Sequence, residues 1–405
     1  MKVLFLSPHY PEEMVDFSRG LAEVSAQVIG VGDVPAAQLP ARVRSHLHDY
    51  LQIPGLLDEG RALGPLVEAA RRLGVDRIET LWEPLVLLAA KARDALGLPG
   101  MSPDTVLGFR DKPVMKARLM AAGVRVPHFG RSHTVAGVLE AAAEIGYPVV
   151  IKPVSGAGTR DTWRVDDEAQ ARAKLETMKH VPEVSIEEFI EGDEFTYDGI
   201  AIDGQPVLES ITQYHPPPLI ARNEQWVSPA QVTLRDPYLP DLRCGIELGR
   251  QALTALRMGT GFFHMEWFRT RRGEAVFGEI GCRSGGGRLM DALNFANDID
   301  VFREWARAVC WHAFEAVPQR RYHVAAVFKR AQGQGRITRI EGLDAVRQRA
   351  GAGLVIEDLL PLGHPRRDWK STLIGDGFVM MRSVDYRDVC EMMDVAVQRL
   401  RLFAQ

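Results

Sequence analysis

Residues 261–283 read GFFHMEWFRTRRGEAVFGEIGCR. Two alternating apolar runs, Gly261–Thr270 and Glu274–Gly281, flank Arg272-Gly273, and this spacing predicts a β-hairpin with a two-residue loop. In that register Glu266 stands directly opposite Glu279, and His264 opposite Gly281. Period-2 alternation places His264 on the face of Glu266, and Gly281 and Arg283 on the face of Glu279. Facing carboxylates with Cβ atoms about 5 Å apart repel unless a cation lies between them. Oxygen ligands so arranged suit Mg²⁺, which also holds phosphates. The competing reading is a strand face with its charges spread in water. Apolar neighbours on both strands (Phe262, Phe263, Met265, Phe277, Ile280) weigh against full exposure.

Working upstream, Ser185–Ile190, Glu194–Ile202 and Gln205–Gln213 alternate around turns such as Asp203-Gly204, an antiparallel pattern. Glu187-Glu188-Phe189-Ile190 ends a strand in a hinge that can offer an N–H and a carbonyl to an adenine edge. Glu194 can then take ribose hydroxyls; a solvated acidic strand is the alternative. Before it, the strand Tyr147–Pro153 carries Lys152 near its end, followed by Ser155, Gly156, Ala157, Gly158, Thr159 and Arg160. Small residues let backbone N–H groups approach phosphate oxygens, and the lysine adds a point charge. No Gly-Lys-Ser/Thr follows, and alone such a run reads as an ordinary turn. Helices are expected over Asp111–Gly123 and Val135–Ile145, with a strand-like stretch after Pro127.

From Met1 to Phe109 strands and helices alternate: strand Val3–Leu6, helix Glu13–Val24, strand Ala26–Val31, a helix around Pro65–Leu73, strand Arg77–Leu81, and a helix opening at Pro84. This predicts a parallel α/β unit whose crevice lies at the carboxyl ends of its strands. His9 follows the first strand there, as a ligand contact or a plain turn residue. Glu83 is either a helix-start charge or an amine-binding carboxylate. Tyr214–Pro229, with Pro216-Pro217-Pro218, Arg222 and Trp226, reads as a lid or a packed surface loop. After Val317 come strands Ala325–Ala331 and Phe378–Val384 and a final helix Tyr386–Leu402. Lys329-Arg330 and Arg366-Arg367 read as solvated charges.

The chain has 405 residues, 49 basic and 53 acidic, for a net charge of −4. At roughly 150 residues per domain this means two to three domains or one elaborated enzyme fold. The charge balance gives no support to a nucleic-acid or anionic-membrane binder. Cys244, Cys282, Cys310 and Cys390 lack paired spacing and read as free thiols of a cytoplasmic protein. No apolar run reaches the ~20 residues of a membrane span.

The order of Arg110-Asp111-Lys112, Gly123 and Pro127, Lys152 with its glycine loop, Glu187–Ile190, Glu266, and Glu279-Ile280-Gly281-Cys282-Arg283 resembles the ATP-grasp superfamily. Within it, Trp82-Glu83-Pro84, Gly97-Leu98-Pro99-Gly100 and Arg283-Ser284-Gly285-Gly286-Gly287 resemble carboxylate–amine ligases such as the bacterial L-amino-acid (dipeptide) ligases.

The resemblance implies an α/β and α+β chain with the ATP-grasp fold. A parallel α/β pre-domain (1–109) would precede the ATP-grasp domain (110–315, with subdomains 110–185 and 186–315 enclosing ATP), and a small C-terminal subdomain (316–405) would follow. It implies Lys112 and Lys152 on the ATP phosphates, with the loop Ser155, Gly156, Ala157, Gly158. Glu187, Glu188, Phe189 and Ile190 would frame the adenine and Glu194 the ribose. Glu266 and Glu279 would hold Mg²⁺ (or Mn²⁺), and Arg283, with Lys152, would serve the transferred phosphoryl group. His9, Glu83, Trp226, His264, Gly286 and Gly287 are candidate substrate contacts. Many members carry Asn where this chain has Gly281, which puts a third protein ligand in doubt.

The implied activity is an ADP-forming ligation through an acyl phosphate, on an amino acid or similar small carboxylate and an amine, by a monomer or homodimer. An ATP-dependent carboxylase using bicarbonate is the second reading, and a nucleotide-binding module without chemistry the third.

Overall fold

The computed structural model describes residues 1–154 and 161–405. The predicted glycine loop, residues 155–160, lies outside the described residues. In the first unit, β1 (Lys2–Leu6), β2 (Gln27–Gly32), β3 (Asp49–Gln52) and β4 (Arg77–Glu79) form a parallel sheet in the order β3-β2-β1-β4. Alternate residues of β1 feed two cores. Leu4 and Leu6 pack with Leu66 and Leu88, while Val3 and Phe5 join Phe17, Phe302 and Trp305. The second core ties the N-terminal unit to the helix Val301–Trp311: the Phe17 ring meets Phe302 at 4.9 Å and Trp305 at 5.3 Å.

A small antiparallel sheet follows, ordered β5-β8-β6-β7, from β5 (Phe129–Ser132), β6 (Val149–Pro153), β7 (Trp163–Val165) and β8 (Val184–Glu188). The helices Val135–Ile145 and Glu168–Thr177 cover it with Leu139, Ala142, Ala171 and Leu175. Next come β9 (Gly192–Ile202), β10 (Gln205–His215), β11 (Ala230–Thr233), β12 (Gly261–Thr270), β13 (Ala275–Gly281), β14 (His323–Phe328), β15 (Gln332–Gly333), β16 (Ile337–Glu341), β17 (Leu354–Leu359), β18 (Gly377–Ser383) and β19 (Arg401–Ala404). Eight of them make one antiparallel sheet, ordered β13-β12-β9-β10-β11-β14-β18-β17. It runs across residue 316, so the C-terminal segment completes this sheet as well as forming the small sheet β15-β19-β16.

The hairpin differs from its sequence reading in an instructive way. Its loop has three residues, Arg271-Arg272-Gly273, closed by the Thr270 amide donating to Glu274 O at 2.9 Å, with Gly273 at φ 78°. Near the tip Trp267 therefore pairs with Phe277, one residue out of the expected register. A bulge at Gly278 restores it, and Glu266 faces Glu279 and His264 faces Gly281 as expected. Gly is required at the bulge because a Cβ there would lie 2.8 Å from the Glu266 carbonyl oxygen.

Three further expectations are corrected. Strand β3 was not foreseen, and the helix placed around Pro65–Leu73 begins at Glu59, capped by Asp58, with Pro65 on its exposed face. The final helix stops at Arg399, because Leu400, Leu402 and Ala404 are buried at period 2 and continue as β19. Lys329 is 2% exposed and donates to Ser228 Oγ and to the carbonyls of Ala396 and Val397 at the end of that helix. Arg330 donates to the carbonyls of Ala221, Glu224 and Val227, and Arg366 and Arg367 also bond backbone carbonyls, so none of the four is a plain solvated charge.

Candidate active site

The large sheet has a polar face at its β13–β10 end, set by alternation. Glu279, Glu266, Thr196 and Thr212 form one cross-strand row, and Gly281, His264, Asp198 and Ser210 the next. Glu194, facing Phe268, lies two residues before Thr196 on the same face. The opposite face carries Phe195, Tyr197, Met265 and Trp267 into the main core. A cleft of about 2250 Å³ opens over the polar face, roofed by the sheet β5-β8-β6-β7 and walled by the start of the helix Lys112–Ala121.

Asp111 caps that helix, its Oδ1 accepting from the Val114 amide at 2.9 Å, which aims Lys112 into the cleft. Lys112 Nζ lies 3.0 Å from Glu279 Oε2. Burial would raise the Glu279 carboxyl, but Lys112 and then Lys152 overcome it and hold it below the usual range. Among the described residues Glu266 has no such partner: its nearest polar contacts are the Tyr214 hydroxyl at 3.5 Å and His264 Nε2 at 3.9 Å. Burial, and the charge of Glu279, push its carboxyl up. Glu194 is raised further, by burial and by Glu266. Among the described residues no group of three or more His, Cys, Asp and Glu is arranged to hold a metal by itself. Two facing carboxylates, of which only Glu279 is paired with a lysine, fit a divalent cation that completes its shell with phosphate oxygens and water.

Lys152, at the end of β6, donates to Glu187 Oε2 at 2.8 Å, and Lys116 Nζ lies 2.5 Å from Glu187 Oε1. Burial would raise Glu187, yet the two lysines pull it down to about 2. Its carboxylate is thus committed to these lysines. Glu188 accepts from Arg125 at 2.8 Å and from the His128 amide at 3.0 Å. Phe189 and Ile190 line the cleft, the Phe189 ring lying under the Arg164 guanidinium at 4.3 Å.

At the far end Arg283 Nε donates to Glu83 Oε2 at 2.5 Å, and Arg110 reaches Glu83 Oε1 at 3.5 Å. Glu83 therefore orients Arg283. A Cβ on Gly281 would lie 3.4 Å from Glu83 Oε2, so this pair borders the space that the missing side chain leaves. His264 Nδ1 donates to Asp198 Oδ1 at 2.7 Å, and Thr196 Oγ1 donates to Asp198. Burial would lower the imidazole, but Asp198 wins and raises it.

Gly286 and Gly287 line the cleft, and the Gly287 carbonyl accepts from Gln231 Nε2 at 2.7 Å. Two candidates do not. His9 sits beside Gly32 behind the cleft wall, its place at the lining taken by Tyr10 and Pro11. Trp226 is 76% exposed and off the lining, because the segment folds into a helix, Pro218–Asn223, that turns its own residues inward. Lys116 and Asp198 were missed. Lys116 lies one helical turn from Lys112, and Asp198 shares the period-2 face of Glu194, so the signals were present.

With this geometry in view, residues 28–100 match the ATP-grasp N-terminal domain and residues 109–213 the ATP-grasp domain. The chain is built on the ATP-grasp fold. A crystal structure of an L-amino acid ligase from Bacillus licheniformis superposes with a TM-score of 0.77 at 22% identity, covering 100% of this chain and 98% of that one. In sequence, the chain is 27% identical over 257 residues to an L-arginine-specific L-amino acid ligase of Bacillus subtilis, an alignment covering 62% of this chain and 61% of the relative. It is 36% identical over 105 residues to a D-alanine–D-alanine ligase of Clostridium botulinum, 25% of this chain and 35% of that one. The chain thus spans less than two thirds of the lengths of these two sequence relatives. No helix among the described residues is long and apolar enough to cross a membrane.

Proposed function

We propose that this ATP-grasp chain is an ADP-forming carboxylate–amine ligase that activates an amino acid or similar small carboxylate through an acyl phosphate. The observation that carries the proposal is the meeting of the facing Glu266–Glu279 pair with Lys112, Lys152 and Arg283 in one cleft. That is an anion-transfer site, with cations arranged around the place where phosphoryl charge develops.

ATP would lie between the lobes 110–185 and 186–315, its phosphates toward Lys112 and Lys152. Mg²⁺, or Mn²⁺ in its place, would be held by Glu266 and Glu279 and supply charge neutralisation to the phosphates. A substrate carboxylate oxygen attacks the γ-phosphorus while the bond to the ADP oxygen breaks, and Arg283, oriented by Glu83, takes up the oxyanion charge. The amine nitrogen then attacks the acyl carbon, the C–N bond forms, and phosphate leaves with the C–O electron pair. His264, with Nδ1 committed to Asp198, presents Nε2 as acceptor for the amine proton. The partners in this reading are two small molecules.

The test is a thermal-shift screen of amino acids with ATP and Mg²⁺, followed by phosphate-release assays on the hits. Amine-dependent release of ADP and phosphate with a condensed product supports the reading. Bicarbonate-dependent ADP release without an amine contradicts it.

A further inference from the structure

Lys116 has no place in the chemistry just described, and it does not line the cleft. Its side chain is 5% exposed, an unusual location for an ammonium. It lies against the Phe129 ring at 4.6 Å and pairs with Glu187, which is also buried. Glu187 in turn holds Lys152 at 2.8 Å and accepts from Ser185 Oγ at 3.0 Å. The result is a relay with Lys116 at the back, Glu187 in the middle and Lys152 at the cleft wall.

A lysine that serves a phosphate must be able to leave its resting partner. Were Lys152 the sole cation on Glu187, its departure would strand a buried, unpaired carboxylate, a costly state. With Lys116 behind, Glu187 stays paired whichever way Lys152 turns.

We propose that Lys116 is a positioning residue for nucleotide binding: by keeping Glu187 paired, it frees Lys152 to engage the phosphates of ATP. The inference rests on the ATP-dependent reading above and extends it to a residue outside the site. Two alternatives are distinguishable. A merely structural Lys116 supports the fold of the sheet β5-β8-β6-β7 and affects every ligand alike. A relay residue affects phosphates, and only through Lys152.

Calorimetric titration of the full chain with ATP plus Mg²⁺, and separately with adenosine, provides the test. Lys116→Met should weaken ATP binding about tenfold or more, leave adenosine binding unchanged, and melt as one cooperative transition. The same substitution in a Lys152→Met background should cost almost nothing further. Lys116→Arg, which keeps the cation, should bind ATP within about threefold of the parent chain.

Equal losses for ATP and adenosine, an unchanged ATP affinity, or an undiminished loss in the Lys152→Met background would each overturn the proposal. Should Lys116→Met fail to fold, Lys116→Arg decides: ATP affinity as low as that of Lys152→Met overturns the relay. Absence of ATP binding by the parent chain would instead sink the nucleotide reading itself.

Discussion

Lys152 and Glu187 show how a single contact separates two roles that sequence patterns assign together. The motif reading put Glu187 among the residues framing the adenine; its carboxylate pairs with the buried Lys116 and with Lys152 at the cleft wall. The spacing of Lys116, one turn from Lys112, put it on the same helix face, but not which strand that face would meet, so its pairing with Glu187 stayed hidden. Lys152→Ala removes a charge-assisted contact of the kind worth about 1.5–3 kcal/mol. ATP affinity measured by calorimetry should fall accordingly; an unchanged value would take Lys152 out of the site.

The same cluster sets a pH dependence. Glu187 is held at about 2, and burial lowers Lys116 to about 8 against the opposing pull of Glu187. Both charges are therefore present between those values. Above pH 8 Lys116 loses its proton in the folded chain while an unfolded lysine keeps its own up to about 10.4. The unfolded state then binds more protons, so this residue's contribution to stability rises with pH across that window. ATP affinity should move the opposite way, declining above pH 8 as Glu187 loses its rear cation. Titrations at pH 7 and pH 9 check this, and equal affinities would contradict it.

At the scale of elements, the facing of Glu266 and Glu279 was read correctly for a reason that was half wrong. A two-residue loop would give the observed facing of Glu266 and Glu279, but the loop has three residues and Gly278 bulges to compensate. Two one-residue offsets cancel, and neither was visible, since Gly in a strand signals a bulge only once the loop length is known. Gly278→Val should cost about 1–3 kcal/mol by overpacking against the Glu266 carbonyl and lower Mg²⁺-dependent turnover by tilting Glu279. Loss of stability with turnover intact would show that the register is not what aligns the pair. Glu279→Gln, which leaves Lys112 open to the cleft, should abolish most Mg²⁺-dependent turnover with little change in melting temperature.

The segment Tyr214–Pro229 belongs to this scale too. Its helix is tied to Arg330, and Asn223 Nδ2 reaches the Thr162 carbonyl at 3.3 Å across the cleft. Arg330→Ala should raise proteolytic cleavage within 214–229, an effect reversed by ATP with the acid substrate. Unchanged cleavage would show that Arg330 is not the tether.

For the whole molecule, the parallel and antiparallel units were legible because period-2 and helical periodicities change along the chain. Their union was not, because it depends on aromatic side chains far apart in sequence. Phe17, Phe262, Phe302 and Trp305 close one core between the N-terminal sheet and the ATP-grasp unit. That union brings Glu83 to Arg283 and closes the far end of the cleft. The glycine loop lies outside the described residues, while the far end of the cleft needed three dimensions: Glu83 orients an arginine, and Tyr10 lines the wall where His9 was expected.

Oxygen transfer from the acid to phosphate tests the acyl-phosphate mechanism most directly. The amino acid giving the largest thermal shift is labelled with ¹⁸O in its carboxylate, and turnover proceeds with ATP, Mg²⁺ and an amine. One labelled oxygen should appear in the inorganic phosphate, read by mass spectrometry, for each amide bond formed. Amide formation with unlabelled phosphate would contradict the mechanism.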